Sequence, residues 1–112
     1  MLITIILLLV CAILAIAAIP LMLRLVPRNP IYGVPTERAL ANDDTWFRVN
    51  AFAGRAVLIA AVLAALLIMF YNGTLLRSGW LQLLVLLFAI GVAVAASLVY
   101  DQRLANPRWP KE

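Results

Sequence analysis

The feature that most restricts this chain is a run from Leu2 to Leu23 without a single charged residue, interrupted only by Thr4 and Pro20. As a helix rising 1.5 Å per residue it reaches about 33 Å, roughly the thickness of the bilayer hydrocarbon. Two further runs repeat the signature. Ala51 to Phe70 carries Arg55 near its start and ends at the turn signal Tyr71-Asn72-Gly73. Gly79 to Tyr100 is bracketed by Trp80 and Tyr100, as aromatic residues bracket spans at the two interfaces. Only about eight residues separate these last two runs, so their helices are antiparallel neighbours. The expected fold is an all-α integral membrane three-helix bundle. Its spans are 2–23, a long helix over 43–70, and 79–100, with a structured loop at 24–42 and a tail at 101–112.

Composition points the same way. Of 112 residues, 66% are hydrophobic and 12% charged, where soluble domains run about 45–50% and about 25%. A compact soluble enzyme and a disordered tail are excluded. One cysteine forms no internal bridge, and Cys11 reads as a small buried hydrophobe. With no histidine and no acid within a span, the usual metal sets and intramembrane proton relays are missing, so neither enzyme, metal nor cofactor is expected. Met1-Leu2-Ile3-Thr4 lacks the basic lead of a cleaved signal peptide, and the first run is expected to be retained.

The net charge of +4 comes from eight arginines and one lysine placed mostly at the ends of apolar runs. Nucleic-acid binding requires such residues gathered on one face, so the basicity is read as a topology signal. Arg77 alone lies on the side of the N-terminus and second loop. Arg24, Arg28, Arg38, Arg48, Arg103, Arg108 and Lys111 lie on the other. By the positive-inside rule the first loop and tail are cytoplasmic and the N-terminus is outside.

Lipid tails are as apolar as leucine, so helix association needs close packing through small residues. Candidates are Ala56, Ala60 and Ala64 in the second span, and Gly91 with Ala95 and Ala93 with Ser97 in the third.

Residues 24–50 hold four of the nine basic residues, three of five acids, three of six prolines and three of five asparagines. Pro27, Pro30 and Pro35 fix φ and disfavour helix before them, so the chain is extended or turning. Gly33 suits a positive φ, a close approach or a simple flexible turn. Helix resumes with Asn42 as N-cap and Asp43 and Asp44 in its first turn. Running to Phe70 it measures about 42 Å, so its start lies among the headgroups. Asn42, Trp46, Asn50 and Gly54 then form one stripe, with Asp44, Arg48 and Arg55 on roughly the opposite side. The stripe is either an interfacial anchor or a site shared with the proline loop, with Gly54 admitting the loop or a neighbouring helix and Asn50 bonding loop carbonyls. Arg55 either snorkels to the headgroups or pairs with Asp44, Asp101 or a loop carbonyl.

Val26-Pro27-x-Asn29-x-x-Tyr32-Gly33-x-x-Thr36 followed by Leu40-x-Asn42-x-x-x-Trp46-x-x-x-Asn50-x-x-x-Gly54 resembles the SdpI family of small bacterial membrane proteins. The resemblance implies a multi-pass protein of the bacterial cytoplasmic membrane, of the immunity type. In that family one member protects its producing cell from a secreted peptide toxin and holds a transcriptional repressor at the membrane. Pro27, Asn29, Tyr32, Gly33, Thr36, Asn42, Trp46, Asn50 and Gly54 match the pattern. Members often show Gly-x-Arg-Thr, where this chain has Pro35; Arg38 is the nearest candidate to replace that arginine.

The leading functional expectation is a non-enzymatic membrane protein that binds a peptide toxin or protein partner through this loop and the start of the second helix, Arg55 included. The alternative is a small accessory subunit of a larger membrane complex. Besides lipid, a membrane protein or a second copy of the chain is the expected partner, with no nucleic acid. A quinone or other lipid lying against Trp46 is a further candidate ligand.

Overall fold

A computed structural model describes residues 2–106 and shows four helices, with no strand among the described residues. Helix α1 is Leu2–Met22, α2 Glu37–Ala41, α3 Asp43–Tyr71 and α4 Gly79–Leu104. All but α2 are long and apolar enough to cross a membrane. The molecule extends 48 Å along its long axis, more than the roughly 30 Å of hydrocarbon, so its ends reach beyond the lipid tails. Helix α3 is the centre: α1 and α4 both pack on it and touch each other less. Leu7, Cys11, Ala64, Ile68 and Leu86 form the core between them, and the large side chains of Ile13, Phe70 and Phe88 face outward, as lipid requires.

The three spans fall where hydropathy places them, and Asn72-Gly73 turns between α3 and α4. Two boundaries differ. The segment expected as loop over 24–42 contains α2, started by Thr36, whose Oγ1 accepts the Ala39 N–H at 3.1 Å. Its five residues make little more than one turn, too short for a periodicity signal. The third span, α4, continues past Tyr100 to Leu104, and Asp101, expected to open the tail, is buried and paired within it. The rest of that tail, residues 107–112 with Arg108 and Lys111, lies outside the described residues.

The small-residue faces are half as expected. Ala60, Ala64, Ala93 and Ser97 are buried, but Gly91 and Ala95 face outward, and a Cβ on Gly91 would meet nothing within 4 Å. Four-residue spacing fixes which residues share a face, not which face meets a neighbour.

Helix α1 ends in a Schellman motif. The Leu25 N–H donates to the Pro20 carbonyl at 2.9 Å and the Arg24 N–H to the Leu21 carbonyl at 3.2 Å. The left-handed position, where glycine is usual, is held by Arg24 at φ 61°. A side chain costs about 1–2 kcal/mol there.

Candidate functional site

The N-terminal turns of α3 organise the connection from α1. Trp46 is 0% exposed, and its indole N–H donates to the Val26 carbonyl at 2.8 Å. One turn later Asn50 is buried. Its Nδ2 donates to the Trp46 carbonyl at 3.0 Å, and its Oδ1 accepts the Val34 N–H at 2.6 Å. The side chain thus satisfies a loop donor, not the loop carbonyl expected from sequence. Gly33 sits between these two residues at φ 120°, and a Cβ there would lie 2.6 Å from Asn50 Oδ1 and 3.0 Å from the Trp46 ring. Both its conformation and its contacts demand glycine. A turn further on, a Cβ on Gly54 would lie 2.6 Å from the Met22 nitrogen and 2.7 Å from the Ala18 oxygen. One stripe of α3 therefore meets the loop start, the loop middle and the end of α1. Trp46 is a buried structural donor and not an interfacial anchor.

Asn42 heads the stripe without joining this contact. It is exposed and caps α3, its Oδ1 accepting the Asp44 and Thr45 N–H groups at 2.8 and 3.3 Å. Asn29 closes the loop tip: Oδ1 accepts the Ile31 and Tyr32 N–H groups, while Nδ2 donates to the Pro27 and Tyr32 carbonyls. The Tyr32 hydroxyl donates to the Ala17 carbonyl of α1. Around Pro35 the Thr36 N–H donates to the Val34 carbonyl at 3.1 Å, a tight turn that the fixed φ of proline suits.

A second tie reaches α4. Asp101 is 3% exposed, and its carboxylate accepts from Thr36 Oγ1 at 3.0 Å and from Arg38 at 2.9 Å. With both oxygens engaged, the buried charge is compensated. Arg38 is thereby committed to α4. Arg28 bridges the loop to the start of α3, pairing with Asp43 at 2.5 Å and donating to the Leu40 carbonyl at 2.9 Å. Asp44 pairs with Arg48 at 3.0 Å. Neither expected acid is left for Arg55, whose exposed side chain has no ion pair or hydrogen bond among the described residues.

From sequence, Asp101 is only a candidate partner for Arg55 and Arg28 has no role beyond topology, whereas the structure pairs Asp101 with Thr36 and Arg38 and Arg28 with Asp43. A signal for Asp101 exists: it continues by four the spacing of Ala93 and Ser97, and all three are buried. The same reasoning reaches Gln82, four residues before the buried Leu86. At 1% exposure Gln82 accepts from Thr4 Oγ1 at 2.8 Å and donates to the Leu76 carbonyl at 2.7 Å, joining α1, α4 and the second connection.

These interactions build a shape. Trp46, Asn50, Arg28 and Tyr32 all act on backbone groups of other segments, and the framework they make presents Ile31 at 91% exposure. Among the described residues no three acids or thiols are gathered to hold a metal. The model of the SdpI/YfhL protein family matches residues 25–100, which takes in the loop, α3 and nearly all of α4. No curated protein and no solved structure matches the chain.

Proposed function

The chain belongs to the SdpI/YfhL protein family, and from that premise we propose that this multi-pass membrane protein recognises a peptide or protein partner without catalysis. The recognition element is the surface of the loop between α1 and α3. The observation that carries the reading is Ile31, 91% exposed at the tip of a loop whose backbone is fixed by Asn29, Trp46 and Asn50. An ordered apolar tip loses little conformational freedom when covered, which favours binding. A peptide toxin that has entered or crossed the membrane, of the ligand class that the family resemblance implies, is one such partner. We place the loop on the cytoplasmic side of a bacterial inner membrane and the N-terminus outside, on the strength of the arginine distribution.

A photoreactive residue at position 31 tests this in cells. A discrete protein or peptide adduct is expected, and it disappears when Trp46→Ala frees the loop. No adduct at 31, or one indifferent to Trp46, overturns the reading. A cysteine at position 31, in a Cys11→Ser background, is expected to resist an impermeant maleimide in intact cells and react in inverted vesicles; the reverse pattern overturns the orientation.

One observation favours the accessory-subunit alternative. On the side away from α1, an apolar groove of about 670 Å³ opens between α3 and α4, floored by Ala60, Ala64 and Ala93 and walled by Leu63 and Phe88. A photoreactive residue at position 88 crosslinking to protein, with none at position 31, establishes that alternative.

A further inference from the structure

Five arginines cluster at the loop end of the bundle between residues 24 and 55, and three are already neutralised: Arg28 by Asp43, Arg38 by Asp101 and Arg48 by Asp44. The side chains of Arg24 and Arg55 are exposed, with no ion pair or hydrogen bond among the described residues. The fold brings their origins together. Gly54 lets α3 approach until a Cβ on it would sit 2.6 Å from the Met22 nitrogen; Arg55 is the next residue on one side, and Arg24 lies two residues beyond Met22 on the other. Each Cα step is about 3.8 Å, so the two backbones are close enough for two long, flexible side chains to reach one group. Arg55 also emerges from an apolar span, where a guanidinium extends toward the headgroups. Arg24 occupies a left-handed position that glycine would hold without strain, so a feature other than backbone comfort accounts for the arginine.

We propose that Arg24 and Arg55 together bind the phosphate of an anionic phospholipid at the junction of α1 and α3. Guanidinium groups match phosphate oxygens in bidentate geometry. Arg24 lies two residues past the end of α1 and Arg55 near the start of the apolar run of α3, and headgroup phosphate is abundant at the ends of spans, which selects lipid over a free anion. The inference is independent of any partner at Ile31.

The test uses the full chain, purified in mild detergent and placed in phosphatidylcholine nanodiscs with or without phosphatidylglycerol, with retained lipid read by native mass spectrometry. Wild type is expected to retain phosphatidylglycerol preferentially, and Arg55→Gln or Arg24→Gly to lower that preference roughly fivefold each, the effect of one basic residue at an anionic surface. Arg24→Gly separates function from folding, because it relieves the left-handed strain: its thermal midpoint is expected to equal or exceed that of wild type while lipid retention falls. Arg77→Gln, at the far end of the bundle, is expected to retain lipid as wild type does. Retention unchanged in the Arg24→Gly, Arg55→Gln double variant overturns the proposal, as does equal retention of the two lipids. Displacement of the lipid by millimolar inorganic phosphate overturns the lipid source.

Discussion

The connection between α1 and α3 and the one between α3 and α4 differ in how they are held. In the first, residues 23–42, side chains of α3 and α4 reach in: Trp46 to Val26, Asn50 to Val34, and Asp101 to Thr36 and Arg38. In the second, residues 72–78, backbone turns from Tyr71 and one amide, Gln82 on the Leu76 carbonyl, make up most of the described bonding. The first is a folded object and the second a joint. A chain that needed only to return across the membrane would be served by two joints.

The largest test of this contrast is Trp46→Ala, which deletes a fully buried ring and its bond to Val26. It is expected to destabilise by about 3–5 kcal/mol and to abolish hydrogen-exchange protection of the Val34 amide, leaving exchange in 72–78 unchanged. Next is Asp101→Ala, which removes the acceptor of Thr36 and Arg38. Because Arg38 is half exposed and regains water, the expected loss is about 2 kcal/mol, read as a lower thermal midpoint in detergent and faster exchange in α2. Gly54→Ala forces α1 away from α3 and is expected to cost about 1–2 kcal/mol, visible as increased reactivity of a probe cysteine placed at Ala18. Smallest is Gln82→Leu, expected to cost less than about 1 kcal/mol because polar contacts between spans are individually weak. If Gln82→Leu proves as damaging as Trp46→Ala in the same thermal assay, the two connections are equally built and the contrast fails.

The sequence is legible here where information is local. Span positions, the Asn42 cap and the stripe through Trp46, Asn50 and Gly54 follow from hydropathy, capping chemistry and helical periodicity, and all appear in the structure. Arg55 stays exposed, as the cost of burying a charge in a span implies. What the residues alone do not disclose depends on helix rotation and register. Asp101 is 65 positions from Thr36, and nothing near either residue marks the pairing. Gly91 and Ala93 carry equivalent spacing signals yet face opposite ways, since the choice depends on where α3 lies. The direction of the Asn50 bond was similarly hidden, because a side-chain amide serves donors and acceptors alike and the loop backbone decides.

That the loop is gripped by its main chain has an evolutionary corollary. Val26 and Val34 contribute a carbonyl and an N–H to Trp46 and Asn50, so many side chains can occupy those positions without altering the mould; proline at 34 is barred because it has no N–H. Ile31 and Pro35 point outward and are freer still. Relatives built on the same main-chain grip can therefore diversify the face they offer while inheriting the same cast.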